Sequence, residues 1–248
     1  MTLEQFFAEN REVAIAFSGG VDSAYLLYAA TRYAARVKAY YVSTAFQPEF
    51  ELEDARRLAD ELGADMLVLH VDVLSNSAVT ANPSDRCYHC KNTLFRQILR
   101  AAENDGFPVL LDGTNASDDA GDRPGMRALR ELSVRSPLRE CGLTKAEIRR
   151  LSREAGLFTW DKPAYACLAT RIRTGEEITL QKLKQTEKAE GFLFGLGFRD
   201  FRVRMVGNTA KLELREADLP LLLENREKIV TELRKDYDSV LLNLEVRK

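Results

Sequence analysis

The sequence predicts an α/β protein, a parallel sheet covered by helices on both faces, followed by a smaller α+β appendage. Three observations predict it. Short apolar runs alternate with segments of helical period between residues 13 and 111. Polar turn motifs follow the first and fourth of those runs, Ser18-Gly19-Gly20 and Asp112-Gly113. From about residue 175 the texture changes to two short alternating strands set among helices. The expected division is therefore a domain over 1–174 and a C-terminal α+β domain over 175–248.

The elements follow in order. Residues 13–17 form a short apolar run ending in Ser-Gly-Gly, the pattern of a strand buried on both faces. Residues 21–35 are rich in Ala, Leu and Tyr and predict a helix, and 37–42 a second strand. Ala55, Leu58, Ala59 and Leu62 share one helical face, with Gly63 as the stop. Residues 66–71 read as a third strand, 91–103 as a helix and 109–111 as a fourth strand. Thr144-Lys145-Ala146-Glu147 is a capping box, opening a helix with Ile148, Leu151 and Ala155 inward. Beyond residue 175 the expectation is a helix over 180–190, strands over 201–206 and 210–214, a helix over 219–235 and a last strand over 240–246. In parallel sheets ligands bind beyond the carboxyl ends of the strands, where both polar turns fall.

Composition narrows the class. With 36 basic and 38 acidic residues the net charge is −2, which argues against a dedicated nucleic-acid surface while leaving room for a local basic pocket. No apolar stretch approaches the roughly 18 residues of a membrane span. Residues 1–10 have neither a basic start nor an apolar core, so a cytoplasmic protein is expected. Four cysteines do not make a disulfide framework for 248 residues, and a Cys-x-x-Cys pair in a reducing compartment points to metal or redox chemistry.

The sharpest motif is Ser18-Gly19-Gly20-Val21-Asp22-Ser23. Glycines after a strand let backbone N–H groups approach phosphate oxygens, and the helix that follows adds partial positive charge. Ser18 and Ser23 can donate hydroxyl hydrogen bonds to phosphate, and Asp22 suits a Mg²⁺ ion or the orientation of a loop. Gly-Gly alone is equally a tight turn. The whole hexapeptide resembles the PP-loop of ATP pyrophosphatases, which have the adenine nucleotide alpha hydrolase-like fold and split ATP to AMP and pyrophosphate. The chain lacks both Gly-x-x-x-x-Gly-Lys-Ser/Thr and Gly-x-Gly-x-x-Gly. Asp112-Gly113-Thr114-Asn115-Ala116-Ser117-Asp118 reads alone as a turn. At the end of the fourth strand it resembles the second nucleotide-side motif of the same superfamily.

Cys87-Tyr88-His89-Cys90 offers two thiolates at ligand spacing, and His89 between them is free to point away. A third thiol, Cys167, lies in Lys162-Pro163-Ala164-Tyr165-Ala166-Cys167-Leu168-Ala169-Thr170-Arg171. Three cysteines suit three irons of a [4Fe–4S] cluster with one iron open, and a redox pair or inert buried thiols are the alternatives. Cys141, ahead of the capping box, reads as structural.

Arg-Cys-Tyr-His-Cys-Lys (86–91), Asp-Gly-Thr-Asn (112–115), Arg123-Pro124-Gly125, Arg135-Ser136-Pro137-Leu138 and the 162–171 stretch together resemble the LarE family. Its members are ATP-dependent sulfur-inserting enzymes of nickel-pincer nucleotide cofactor synthesis. The resemblance runs over nearly the whole chain. It implies adenylation of a carboxylate of a pyridinium dicarboxylate mononucleotide, then attack by sulfur and departure of AMP. It implies ATP and Mg²⁺, a small nucleotide-like substrate and a homo-oligomer. One branch of the family gives up the sulfur of the cysteine matching Cys167. The other holds a [4Fe–4S] cluster, for which Cys87, Cys90 and Cys167 are the matching ligands. Substrate phosphate is expected at Arg171, Arg202 and Arg204. Arg173 is read as a solvated surface residue, and Glu190 and Glu213 as weak candidates for metal contacts. Thiolation of a tRNA base, amide formation with ammonia, and a non-catalytic nucleotide sensor or iron–sulfur carrier are the competing readings.

Overall fold

The computed structural model describes residues 1–118 and 124–247. Its elements in order are α1 (Leu3–Glu9), β1 (Glu12–Phe17), α2 (Val21–Tyr33), β2 (Arg36–Ser43), α3 (Glu49–Leu62), β3 (Asp65–His70), α4 (Ser77–Thr80) and α5 (Arg86–Asn104). There follow β4 (Val109–Leu111), α6 (Pro124–Glu131), α7 (Pro137–Glu140), α8 (Lys145–Glu154) and α9 (Leu180–Gly195). The last five are β5 (Arg202–Val206), β6 (Thr209–Glu213), α10 (Leu219–Glu224), α11 (Arg226–Leu233) and β7 (Ser239–Leu242). The chain divides into two compact units, Met1–Val73 with Asp85–Ala164, and Leu74–Ser84 with Tyr165–Lys248. The chain thus enters the second unit at Tyr165 and also lends it the 74–84 segment.

In the first unit four parallel strands lie in the order β3-β2-β1-β4. Alternation along the strands explains why both faces are covered. Val13, Ile15 and Phe17 of β1, Ala39 and Tyr41 of β2 and Leu111 of β4 join one core with residues of α1, α2, α3, α7 and α8. The intervening Ala14, Tyr40 and Leu110 join a second core with Ile98 and Ala102 of α5. A period of two sends neighbouring residues to opposite faces, so an unbroken apolar run serves both. The chain leaves β1 toward β2 on one side and returns to β4 on the other. This is a topological switch point, and its crevice opens where β1 and β4 end.

Local rules account for most boundaries. Gly63 closes α3 in the left-handed conformation (φ +61°), and Thr144 with Glu147 forms the expected capping box of α8. The structure adds α1, started by a second capping box between Thr2 and Gln5. It also starts α5 at Arg86 rather than 91, which puts Cys87 and Cys90 on its first turns. In the second unit β5 and β6 are antiparallel, and β7 joins β6 in parallel. The single helix expected over 219–235 is two, which meet at Asn225, where the backbone N–H (3.2 Å) and the side-chain amide (3.0 Å) both donate to the Leu221 carbonyl. Among the described residues, no helix is long and apolar enough to cross a membrane.

Candidate active site

The two polar turns meet in the first unit. Gly19 adopts φ +71°, and a Cβ there would lie 3.2 Å from the Cβ of Ala55 and 3.3 Å from the carbonyl oxygen of Glu51. The loop is therefore pressed against α3, and glycine is required both for conformation and for space. Ser18 and Ser23 are tied to each other through their hydroxyls (3.0 Å), and the Ser23 hydroxyl also donates to the Gly20 carbonyl (3.1 Å). At the other turn a Cβ on Gly113 would lie 2.9 Å from the backbone nitrogen of Ser23 and 3.2 Å from its Cα. The Asp112-Gly113 turn is thus seated on the first turn of α2.

Hydrogen bonds fix both motifs. Asp112 is buried and accepts from the Thr114 hydroxyl (2.5 Å) and the Ser136 hydroxyl (2.6 Å). Asn115 donates to Asp22 Oδ1 (3.3 Å), and its own N–H donates to Asp118 (2.9 Å). Asp22 Oδ2 accepts from Lys145 Nζ at 2.6 Å. Lys145 opens α8, and its N–H donates to the Ser117 hydroxyl (2.9 Å). Of the two uses foreseen for Asp22, the observed partners are those of loop orientation. Sequence reasoning missed Lys145, which lay inside the capping box but was read only as a helix start. The result is a set of glycine-loop N–H groups, a helix N-terminus and an ammonium group brought together beyond the ends of β1 and β4, an arrangement suited to polyphosphate.

The thiols divide between the units. Cys87 is exposed and Cys90 half-buried on the first turns of α5, three residues apart and so on one helical face. His89 faces Asp85 (3.4 Å), while Tyr88 donates to Glu131 (2.7 Å) and stacks under Arg127. Cys167, half-buried, stands in the second unit at the start of a 3₁₀ turn, its carbonyl accepting from the Thr170 hydroxyl (2.8 Å). Within either unit, no group of three His, Cys, Asp or Glu side chains among the described residues is arranged to hold a metal. Arg123 lies outside the described residues. Its neighbour Gly125 packs against the side chain of Lys91, where a Cβ would come within 3.2 Å.

The arginines of the second unit separate by environment. Arg171 is fully buried, its Nε and Nη2 bonded to the two oxygens of Glu190 (2.7 and 2.9 Å) and its Nη1 to Ala166 O and Thr170 Oγ1. Glu190 also accepts from the Val203 N–H (2.8 Å) and from the Tyr165 hydroxyl. This corrects two expectations. Arg171 is enclosed by protein partners rather than facing a phosphate, and Glu190 is the counter-ion of an arginine rather than a metal contact. Burial lowers the pKa of Arg171, but the hydrogen bonds and charge of Glu190 more than offset this and leave it raised. Arg202 is buried as well, and burial, then the neighbouring Arg171, pulls it down to about 10. Arg204 is more open, donating to Thr170 O (2.6 Å) and to Glu213 (2.8 Å). Arg173 is exposed, and its carbonyl accepts from the buried Asn82 side chain (2.8 Å), which ties the 74–84 segment to this unit.

The asparagine synthase family model, of the PP-loop superfamily, matches residues 4–118, the stretch that carries both polar turns. An uncharacterised protein of Synechocystis is 40% identical over 215 residues, covering 86% of this chain and 80% of its own. A pyridinium-3,5-bisthiocarboxylic acid mononucleotide synthase of Lactiplantibacillus plantarum is 32% identical over 235 residues, 94% of this chain and 85% of that enzyme. The chain belongs to the LarE family. A tRNA-specific 2-thiouridylase of Thermotoga maritima is 26% identical over 192 residues, 59% of this chain and 52% of that enzyme. LarE membership thus extends over both units, whereas the asparagine synthase match is confined to residues 4–118.

Proposed function

We propose that this LarE-family chain is an ATP-dependent sulfur transferase that converts a carboxylate of a pyridinium dicarboxylate mononucleotide to a thiocarboxylate. The observation that carries the reading is the seating of the Asp112-Gly113 turn on Ser23, which makes one crevice of the two nucleotide-side motifs. That crevice sits in a chain that aligns with the bisthiocarboxylic acid mononucleotide synthase over 94% of its length.

A free carboxylate is a poor acyl donor because its leaving group would be oxide. Attack of a carboxylate oxygen on the α-phosphorus of ATP forms an acyl adenylate and expels pyrophosphate. A sulfur nucleophile then adds to the acyl carbon and AMP leaves, giving the thiocarboxylate. In this reading the N–H groups of the Ser18–Ser23 loop and the N-terminus of α2 bind the departing pyrophosphate. Lys145, now paired with Asp22, supplies a cation beside it, and Mg²⁺ enters with ATP. Asp112, Thr114, Asn115 and Asp118 keep the second turn against α2. Arg202 and Arg204 are the proposed contacts for the substrate phosphate, and the second unit is the proposed site of substrate capture and self-association.

Cys87, Cys90 and Cys167 would hold a [4Fe–4S] cluster, which when bound leaves one iron open to carry an extra sulfide. Cys167 as the sulfur donor itself is the alternative route. The enzyme is read as homo-oligomeric, as the family resemblance implies, and as cytoplasmic, as the reading of residues 1–10 suggests. The similarity to a 2-thiouridylase favours tRNA thiolation as the second reading, although the net charge of −2 supplies no general attraction for RNA.

Protein purified without oxygen should contain about four irons per chain, with matching sulfide, and Cys87→Ala should lose them. An iron-free wild type after reconstitution would remove the cluster from the account. A Cys167 that then loses the mass of one H₂S after turnover would establish it as the donor.

A further inference from the structure

The first unit ends in a strap, residues 162–164, that runs directly into Tyr165-Ala166-Cys167. Lys162 at its head is held from three directions. Its N–H donates to Thr159 O (3.1 Å). Its carbonyl accepts from Arg149 Nη2 (2.9 Å), whose Nη1 binds Trp160 O (2.7 Å). Its ammonium group donates to Asp54 (2.7 Å) and lies 3.5 Å from Glu51, with the side chain only 14% exposed. Glu51 and Asp54 belong to the start of α3. The Glu51 carbonyl and the neighbouring Ala55 are also the wall that confines Gly19 of the phosphate-binding loop. One helical turn thus touches the loop on one side and the strap on the other.

Stability alone does not explain this arrangement. Burial raises the pKa of Glu51 despite the neighbouring Lys162 charge, and ion pairs withdrawn from water generally return little net stability. Tyr41, at the carboxyl end of β2, adds to the cost, since its hydroxyl is buried and has no hydrogen-bond partner. Buried ionic pairs that stabilise weakly are best attested as devices fixing one arrangement over others.

We propose that Lys162 is a positioning residue, coupling occupancy of the phosphate-binding loop to the placement of the strap that leads into Cys167. A triphosphate drawing on the N–H groups of Gly19 and Gly20 fixes the loop against α3. The Glu51 and Asp54 side chains then hold Lys162, and with it the strap, in a single position. This inference rests on the reading of the Ser18–Ser23 loop as the ATP site, so ATP affinity is measured alongside it.

The test is amide hydrogen exchange over residues 164–168 with and without ATP as the probe, in wild type, Lys162→Met and Lys162→Arg. In the wild type ATP should slow exchange about tenfold, within the range usual for coupled sites. Lys162→Met should bind ATP with affinity within about threefold of wild type yet show no ATP-dependent slowing there, and Lys162→Arg should restore it. ATP-dependent protection that persists in Lys162→Met would overturn the proposal. So would a wild type that binds ATP without any change over 164–168. A wild type that does not bind ATP would overturn the nucleotide-site reading itself, and the proposal with it. Should Lys162→Met fail to fold, the Glu51→Gln, Lys162→Met double variant carries the same test, because it leaves no unpaired charge at Glu51.

Discussion

Replacing Gly113 by alanine will lower ATP-dependent pyrophosphate release about 10- to 100-fold, an overpacking cost of about 1–3 kcal/mol expressed at the nucleotide loop. The added methyl group would meet the Ser23 nitrogen at 2.9 Å, the Ser23 Cα at 3.2 Å and the Asp22 carbonyl carbon at 3.3 Å. All three are backbone atoms, so no rotamer change relieves the contact. The turn must back away or the start of α2 must move, and either displaces N–H groups that have to meet phosphate. Gly191→Ala is the matched control. Nothing lies within 4 Å of its added Cβ on the exposed face of α9, and alanine in a helix interior gains roughly 1 kcal/mol. Steady-state pyrophosphate release, with a thermal melt of each variant, checks both. Wild-type activity in Gly113→Ala would mean that the two turns do not form one site.

Arg171→Met will destabilise the second unit by about 3–5 kcal/mol, because it strands the Glu190 carboxylate in the core. At this chain length that is a fall of about 10 °C in the melting temperature of the transition that contains the unit. Glu190→Gln will also be costly, since it leaves the buried Arg171 guanidinium without its counter-ion and weakens bonds to Val203 N–H and the Tyr165 hydroxyl. The Arg171→Met, Glu190→Leu double variant will lose much less than the sum of the singles, the signature of a coupled pair. Additive losses would contradict the assignment of Arg171 to Glu190. A single Arg171→Met that melts like the wild type, but binds substrate poorly, would return this arginine to the phosphate.

Much of the first unit was legible because its rules are local. The run at 13–17, the Gly63 stop, the Thr144 capping box and the 109–111 strand all follow from period and capping, and the structure places each within a residue or so. The two polar turns were legible as turns that end the first and fourth strands, and the structure brings them together. What could not be read was pairing across long separations. Lys145 reaches Asp22 over 123 residues of sequence and Lys162 reaches Asp54 over 108, and neither lysine differs locally from a solvated one. Arg171 was misread for a related reason. It was expected at the substrate phosphate, and only the fold reveals that Glu190 meets it in the interior. The break at Asn225 is not marked by any change in helical periodicity, so it too was not legible.

The most direct test of the central claim is the product. The protein, held without oxygen, would be incubated with ATP, Mg²⁺ and the pyridinium-3,5-dicarboxylic mononucleotide, and the reaction followed by mass spectrometry. The account predicts AMP, pyrophosphate and a pyridinium product in which sulfur has replaced a carboxylate oxygen, with one AMP formed for each sulfur gained. AMP and pyrophosphate that appear only with tRNA or with ammonia, while the pyridinium compound keeps all its oxygens, would contradict it.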